Sequence, residues 1–297
     1  MEDGSFTVEG ECLKMPQNTY RKRRLGLLWE IVSYFVLFFG ALVILMPFAW
    51  MFSTSFGTAE TAFSLPPRWI PNFFNTKSYR QLLEAVPFFR YMWNSFKVAA
   101  LITVGQLVTC STAAYAFARI RFRGRDPIFL LLLSSMMIPI QVTVIPLFIL
   151  VRRVGLYNTH ASLILPVVIS AFGVFLLRQF FLTIPAELEE AARIDGASHF
   201  VIYFRIILPL SGPALSTLAV LCFLYFWNEL FRPLIFINSI EKYTIPLGLV
   251  MLRGQYDVGS PTRTMAAVTL AIIPAVVIFI LAQRYLVEGI AMTGLKE

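Results

Sequence analysis

Residues 178–210 read RQFFLTIPAELEEAARIDGASHFVIYFRIILPL, and this stretch differs sharply from the apolar segments on either side of it. It is too polar to cross a membrane, but its pattern predicts helices. Thr183 can cap a first helix, Pro185 suits its first turn, and three glutamates lie near its positive end. Gly196 permits a sharp turn out of that helix, and an amphipathic piece, 198–207, follows it. The stretch therefore predicts a short polar helix that is held between two apolar segments.

The rest of the chain is strongly apolar. Hydrophobic residues make up 58% of the 297 residues and charged residues only 14%, whereas charged residues make up about 25% of an ordinary soluble protein. A membrane span needs roughly 20 apolar residues, and it must be helical because lipid cannot satisfy backbone polar groups. The predicted spans are 27–53, 94–118, 127–150, 161–181, 212–237 and 264–287. The predicted fold class is therefore all-α, a polytopic membrane protein with six transmembrane helices.

These spans divide the chain into a membrane domain and two tails. The membrane domain covers 27–287, the N-terminal tail covers 1–26 and the C-terminal tail covers 288–297. Several prolines lie at span ends or inside spans, and we expect the helices to kink or break there because proline removes a backbone donor. Within the polar stretch, residues 182–209 are predicted to form a loop on the same side of the membrane as the two tails.

The distribution of Lys and Arg predicts the orientation. These residues are concentrated in the segments that are cytoplasmic if the N-terminus is inside, and loop 119–126 alone has four arginines. The positive-inside rule therefore favours two cytoplasmic tails, although Arg152 and Arg153 would then lie outside. We interpret the arginines of loop 119–126 mainly as anchors for anionic lipid headgroups, with recognition of a specific partner as the alternative.

The composition argues against several other classes of protein. The net charge of +8 fits cytoplasmic loops better than nucleic-acid binding. Three cysteines and two histidines without metal-ligand spacing make a metal site unexpected. The sequence has no G-x-x-x-x-G-K-[ST] motif, so we assign no ATP chemistry to the chain and expect no bound cofactor. A membrane-embedded transferase is the leading alternative of another class, and its candidate carboxylates are Asp126, Glu187, Glu189, Glu190 and Asp195.

The polar stretch resembles the EAA loop of ABC-transporter permeases. The pattern of that loop is E-A-A, three residues, G, nine residues, I, one residue and L-P, and every fixed position is filled here. The matching residues are Glu190, Ala191, Ala192, Gly196, Ile206, Leu208 and Pro209. The physical properties of the stretch suit such a role, because small alanines allow close approach and carboxylates form charge-assisted hydrogen bonds with a basic partner.

The resemblance extends to motifs along most of the chain. Similar segments occur in maltose-type, carbohydrate-uptake permeases, and six spans with a short N-terminal tail are most like their smaller, MalG-like subunit. The segments are Met137-Ile138-Pro139, Gly155-Leu156-Tyr157-Asn158-Thr159, Phe226-Trp227-Asn228-Glu229 and Leu286-Val287-Glu288-Gly289. The resemblance implies the type I ABC importer permease fold in the inner cell membrane.

The same resemblance implies partners and coupling residues. It implies a second homologous permease subunit in a heterodimer, two cytoplasmic ABC ATPase subunits that bind ATP and Mg, and an extracytoplasmic solute-binding protein. Coupling to the ATPase would fall on Glu190, Ala191, Ala192, Asp195, Gly196, Ile206, Leu208 and Pro209. In the C-terminal tail, Thr293, Gly294 and Lys296 would contact the ATPases.

The implied cargo is a sugar or an oligosaccharide, with non-sugar solutes such as glycerol phosphates as the alternative. Polar groups inside spans are costly and suggest function, which makes Gln141, Asn228, Glu229 and Arg232 the candidates for the pathway or gate. A second reading of this cluster stays open, because Glu229 and Arg232 are spaced to pair along a helix and to lock the bundle. The long predicted outer loop, 57–93, is read either as a docking surface or as a structured cap.

Overall fold

The computed structural model describes residues 18–58, 62, 75–255 and 261–294, and it describes side chains for 29–58, 62, 75–254 and 261–284. Every regular element in these ranges is helical, which confirms the predicted all-α class. The first 17 residues and most of the aromatic part of the predicted outer loop lie outside the described residues. The docking and cap interpretations of that loop therefore stay predictions.

The chain divides into two compact units between Met51 and Phe52. The described part of the first unit is a single helix, α1 (Asn18–Ser55), whose last residues belong to the second unit. The helix is apolar and long enough to cross a membrane over Trp29–Ser55. Pro47 lies inside this helix without interrupting it.

The second unit contains the remaining helices. The first ones are α2 (Lys77–Ala85), α3 (Phe88–Arg119), α4 (Arg125–Ser134), α5 (Ile140–Arg153), α6 (Ala161–Ile164) and α7 (Ala171–Thr183). The later ones are α8 (Glu187–Ile194), α9 (His199–Ile202), α10 (Gly212–Trp227), α11 (Phe231–Phe236), α12 (Ile245–Gln255) and α13 (Pro261–Gly294). A π-helical stretch, Tyr203–Ile207, and a short turn, Leu208–Leu210, lead from α9 to α10.

The number of candidate membrane spans agrees with the sequence. Three helices, α1, α3 and α13, are individually long and apolar enough to cross a membrane. Three bent pairs pass the same test together, with bends of 100° between α4 and α5, 43° between α6 and α7, and 75° between α9 and α10. If each pair is one span, the described residues contain six, as predicted.

Prolines account for the broken spans. Pro139 directly precedes α5, and Ile138 before it is extended at φ −84° and ψ 112° because proline excludes its neighbour from the helical region. Pro166 lies in the 3-10 turn between α6 and α7, and Pro213 lies in the first turn of α10. Pro146 and Pro274, in contrast, lie inside helices that continue past them.

The fifth predicted span, 212–237, is wrong at its far end. The helix α10 stops at Trp227, and the apolar residues after it form the separate short helix α11. Pro233 lies in the first turn of α11, where its missing N–H is tolerated. By length and apolarity alone, the candidate span of this region is instead the bent pair that begins at His199.

The largest buried cluster joins α3, α7 and α10. Cys110 and Ala114 of α3, Val174 and Leu177 of α7 and Leu218 of α10 belong to it, and each of these side chains is fully or almost fully buried. Gly173 makes this close packing possible, because a Cβ atom there would lie only 2.9 Å from the Cys110 sulfur. The three helices therefore form one tightly packed group.

Candidate functional site

The polar stretch forms two short helices joined by a glycine turn. The first is α8, and Gly196 follows it with a φ of 82°, a left-handed conformation that favours glycine, as the sequence predicts. Ser198 then caps α9 by accepting a hydrogen bond of 3.4 Å from the backbone N–H of Val201. The predicted cap at Thr183 is wrong, because Thr183 is the last residue of α7 and its hydroxyl donates to the Phe180 carbonyl.

The helix α8 has one exposed face and one face that packs against the bundle. Glu190, Ala191 and Asp195 are exposed, and the apolar side chain of Ile194 is 87% exposed. Ala192 points the other way and packs, half-buried, against the α3–α7–α10 cluster. The small surface predicted for the two alanines is therefore divided, since one alanine faces outward and the other supports the helix.

The end of the loop anchors it in the bundle. Ile206 and Leu208 are half-buried and pack against the same cluster, whereas Pro209 is exposed. Proline has no N–H to bond to the preceding turn, and the π-helical stretch Tyr203–Ile207 ends just before it. Most of the predicted coupling residues on and just after α8 are thus exposed, whereas Ala192, Ile206 and Leu208 support the loop.

A buried ion pair holds α8 against the end of α3. The Nε atom of Arg119 lies 2.9 Å from Oε1 of Glu189, and both side chains are almost fully buried. Their geometry makes the contact an ion pair rather than a hydrogen bond. Arg119 also donates from Nη2 to the carbonyls of Phe181 and Ile184. The headgroup interpretation is therefore wrong for Arg119, although Arg121 and Arg123 are exposed.

Two hydroxyl contacts hold the second helix of the loop. The Ser111 and Tyr203 hydroxyls lie 2.7 Å apart, and the Tyr115 hydroxyl lies 3.3 Å from Nδ1 of His199. Sequence reasoning assigned no role to Ser111, Tyr115 or Arg119 in this loop. The available signal was their spacing of four residues, which places them on one face of a helix.

The pathway candidates line two neighbouring cavities. Gln141, Asn228 and Glu229 line one of about 570 Å³, and Arg232 lines the other, of about 550 Å³. Ile140 and Tyr225 belong to both linings, so the cavities adjoin. The structure thus brings together four polar residues from two predicted spans that are distant in sequence.

The predicted pairing of Glu229 with Arg232 is also present. Arg232 Nε donates to Glu229 Oε1 at 2.6 Å, and the guanidinium lies 4.8 Å above the centre of the Phe226 ring. The Arg232 side chain is almost fully buried, and its Nη1 atom has no hydrogen-bond partner among the described residues. The ion pair and the cavity linings therefore occur together in the structure.

A second loop, between α11 and α12, is held by Asn158 of the α5–α6 connection. Asn158, which has a φ of 57°, accepts hydrogen bonds of 3.0 Å from the N–H groups of Asn238 and Ser239 and donates to the Ser239 hydroxyl at 2.6 Å. Lys242 donates to the Asn158 carbonyl at 2.6 Å. The loop between α11 and α12 is therefore attached mainly through backbone groups.

The remaining candidate residues are those of the C-terminal tail and the carboxylates of the alternative transferase site. Thr293 and Gly294 end the helix α13, with side chains outside the described residues, and Lys296 lies beyond them. Of the carboxylates that a transferase would use, Asp126 pairs with Arg125 at 2.9 Å, Glu189 is buried with Arg119, and the others, Glu187, Glu190 and Asp195, are exposed. This arrangement offers no pair of opposed carboxylates for acid–base chemistry among the described residues.

Two bacterial permease proteins are similar in sequence to this chain. The chain is 38% identical over 213 residues to the arabinooligosaccharides transport system permease protein AraQ of Halalkalibacterium halodurans, which covers 72% of this chain and 76% of that protein. It is 33% identical over 272 residues to the sn-glycerol-3-phosphate transport system permease protein UgpE of Brucella abortus, which covers 89% of this chain and 96% of that protein.

A solved structure and a family model extend the comparison. A chain of a bacterial ABC transporter involved in import of the acidic polysaccharide alginate matches with a TM-score of 0.76 and 26% identity, over 88% of this chain and 98% of that one. Residues 107–292 match the family described as the binding-protein-dependent transport system inner membrane component. The chain therefore belongs to this family of ABC importer permeases, which are multi-pass inner-membrane components and not the ATPase subunits.

Proposed function

We propose that this chain forms half of the translocation pathway of its importer and that α8 docks into a cleft of a cytoplasmic ATPase subunit. The supporting observation is the exposed face of α8, where the 87% exposed Ile194 lies beside the exposed carboxylates of Glu190 and Asp195. An apolar side chain exposed among carboxylates suits a partner with an apolar groove and basic rim. Ala191 on this face allows close approach, and Gly196 sets the turn that follows.

The other predicted coupling residues have a supporting role in this proposal. Ala192, Ile206 and Leu208 attach the loop to the α3–α7–α10 cluster, and Pro209 marks the start of the bend into α10. A movement of the docked helix would thereby reach the membrane-crossing helices. The loop is cytoplasmic in this proposal, and so are both tails.

The proposed assembly has four further subunits. They are a second homologous permease subunit that completes the pathway as a heterodimer, two ABC ATPase subunits and an extracytoplasmic solute-binding protein. ATP and Mg are held by the ATPases, which supply the energy. In the C-terminal tail, Thr293, Gly294 and Lys296 are proposed to contact the ATPase pair.

The proposed cargo is a sugar or an oligosaccharide delivered by the binding protein. The similarity to the AraQ protein and to the alginate importer supports this choice. A glycerol phosphate is the second candidate, because the match to the UgpE protein has comparable identity and covers more of the chain. The cognate binding protein separates the two: its thermal midpoint should rise with arabinose oligosaccharides and not with glycerol-3-phosphate, since a ligand that binds the folded state stabilises it.

The two adjoining cavities are proposed to belong to the pathway. Their lining combines large apolar side chains with a few polar groups, as ligand sites commonly do. Gln141→Ala and Asn228→Ala should slow cargo uptake into vesicles while the subunits still purify together. Uptake at the original rate in both variants would favour a purely structural role for this cluster.

Substitution of the exposed loop residues tests the coupling proposal. Glu190→Ala and Gly196→Pro should leave the chain inserted but weaken its association with the ATPase or separate ATP hydrolysis from uptake. Glu84→Gln is the matched control, because Glu84 is an exposed glutamate on α2 that pairs only with the neighbouring Arg80 among the described residues. Normal association and coupling in both loop variants would contradict the proposal.

A further inference from the structure

We propose that Arg119 is the positioning residue of the coupling loop and that α3 is the helix to which α8 transmits its movement. This inference rests on the proposed function of α8. It concerns a residue outside the EAA stretch, at the end of a helix that is separated from that stretch by two predicted spans. A polar ladder on α3, formed by Ser111, Tyr115 and Arg119, carries the argument.

The Arg119 guanidinium joins three helices. It belongs to the last turn of α3, it lies 2.9 Å from the Glu189 carboxylate on α8, and it donates to two carbonyls at the end of α7. One of these carbonyls, that of Phe181, also accepts a hydrogen bond of 3.3 Å from the N–H of Ile184, the residue just after α7, so Arg119 adds a second donor to this helix end. Because the guanidinium is a planar group with several donors, one side chain can hold both sites at once.

The ladder holds both arms of the loop. Its members are four residues apart, so they lie above one another on one face of α3. Arg119 contacts α8 through Glu189, Tyr115 contacts α9 through His199, and Ser111 contacts Tyr203 just after α9. The rings of Tyr115 and Tyr203 also pack with their centres 5.2 Å apart. The loop is thus fixed to α3 on both sides of the Gly196 turn.

Because the ion pair of Arg119 with Glu189 is buried, it fixes the position of α8 against α3. The Glu189 side chain is 5% exposed and that of Arg119 is 11% exposed, so either charge without its partner would be left in a poorly solvated site. Arg193 also pairs with Glu189, but from the more distant position of 3.8 Å to the other carboxylate oxygen, and its side chain is 48% exposed. The shorter and more deeply buried of the two ion pairs of Glu189 is therefore the one that joins α8 to α3.

The packing of α3 explains how the movement would continue. Cys110 of α3 lies against Gly173 of α7 and belongs to the same buried cluster as Leu218 of α10, with no room for an additional methyl group at Gly173. Closely packed helices shift as a group rather than deform. A displacement of α8 thus moves α3 and, with it, the group that includes α10, which carries Tyr225 at both cavities.

The test uses the complete transporter in lipid nanodiscs for ATP hydrolysis and in vesicles for uptake, together with its binding protein. In Arg119→Gln the subunits should still purify together, while cargo transported per ATP falls at least about tenfold, since the buried Glu189 then keeps only the more distant Arg193 as a partner. Arg119→Lys should restore part of the loss, because lysine can pair with Glu189 but lacks the planar fork. Arg121→Gln, an exposed arginine of the same loop, is the control and should change the ratio less than about twofold.

A double variant separates positioning from simple destabilisation. If the pair acts as a unit, Arg119→Gln/Glu189→Gln should lose no more coupling than the more affected single variant. If the losses of coupling in the two single variants multiply in the double variant, the pairing of Arg119 with Glu189 would be overturned.

If Arg119→Gln does not assemble, Tyr203→Phe provides a milder change, because it removes only a hydroxyl from the ladder. Amide exchange of 199–203 in the assembled transporter should then become several-fold faster.

The outcomes distinguish this inference from the function on which it rests. Loss of coupling in Glu190→Ala and Gly196→Pro with normal coupling in Arg119→Gln would overturn the role of Arg119 and leave the docking proposal intact. Normal coupling in all of these variants would overturn both. Equal loss in Arg119→Gln and Arg121→Gln would indicate a general effect of loop charge and would also overturn the inference.

Discussion

The two ends of α3 hold a loop by different physical means. At its last turn, Arg119 holds α8 through a buried ion pair with Glu189. At its first turns, Asn94 donates to the carbonyls of Glu241 and Tyr243 at 2.8 and 3.0 Å, and the Ser95 hydroxyl accepts from the N–H of Ile245 at 2.7 Å. The first attachment includes a buried pair of charges, whereas the second depends mainly on neutral side chains that bind the backbone.

This difference has a consequence for how the loops respond to substitution. A buried ion pair is highly sensitive to loss of one partner, whereas an attachment through several neutral hydrogen bonds loses about 1 kcal/mol for each bond removed. Asn158 adds to the second attachment from the α5–α6 connection. The end of α3 near α8 is therefore expected to be the more vulnerable of the two.

The largest effect on stability is expected for Arg119→Ala. Removal of the guanidinium leaves the buried Glu189 with only the more distant Arg193 and removes the hydrogen bonds to two backbone carbonyls, so the free energy of unfolding should fall by about 3–5 kcal/mol. Chemical unfolding in detergent micelles measures the change. Arg121→Ala is the control and should stay within about 0.5 kcal/mol, as is usual for exposed positions. Similar losses in the two variants would remove the basis for contrasting the two ends of α3.

A smaller effect is expected for Asn158→Ala. Alanine removes three side-chain hydrogen bonds and also disfavours the φ of 57°, so the free energy of unfolding should fall by about 2–3 kcal/mol. Asn158→Gly removes the same bonds but adopts this conformation freely. The glycine variant should therefore be more stable than the alanine variant in the same unfolding measurement, and the reverse order would contradict the assignment.

The free energy of unfolding should also depend weakly on pH through His160, which lies near Asn158 in the attachment of the α11–α12 loop. Burial lowers the pKa of His160, whose Nε2 lies 3.0 Å from the Lys242 carbonyl, below its ordinary value. The folded state therefore binds fewer protons than the unfolded state, and stability should fall as the pH decreases through about 6.5, the pKa expected in the unfolded chain. The fall ends below the lower pKa of the folded state. The variant His160→Gln should lose this component when the free energy of unfolding is measured between pH 8 and pH 5, about the range over which histidine titrates. An unchanged slope of that free energy against pH would assign the dependence to other groups.

The smallest effect is expected for the exposed pair of Arg80 and Glu84 on α2. The two side chains are 83% and 63% exposed, so solvent and salt screen their attraction. Glu84→Gln should leave the unfolding midpoint unchanged within error at physiological salt. A clear loss, larger than that of Asn158→Ala, would show that exposure is a poor guide to the energy of ion pairs in this protein.

Much of the architecture could be predicted without coordinates. The apolar blocks indicate six spans because their lengths match the thickness of a bilayer, and the break before α5 follows from Pro139. The EAA spacing identifies the loop, and Gly196 predicts its turn. The end of the fifth span was wrong, because the apolar residues of α11 continue the hydropathy of α10 although they do not continue its helix.

The residues that hold the loop could not be predicted in the same way. Glu189 and Glu190 are neighbours of the same chemical type, yet one is buried and the other is exposed. Arg119 and Arg121 differ in the same manner within one basic run. Composition and spacing assign all four to a polar surface, since both patterns are compatible with either orientation.

The order of residues along the chain was sufficient for the number of spans, most of their breaks and the family, because helix formation in lipid depends on local length, apolarity and proline position. The partners of individual charges depended on folding, because Arg119 and Glu189 are 70 positions apart by their residue numbers and come together only when the last turn of α3 packs against α7 and α8. Burial then turns two ordinary surface residues into a pair that cannot be separated without leaving a charge unsolvated.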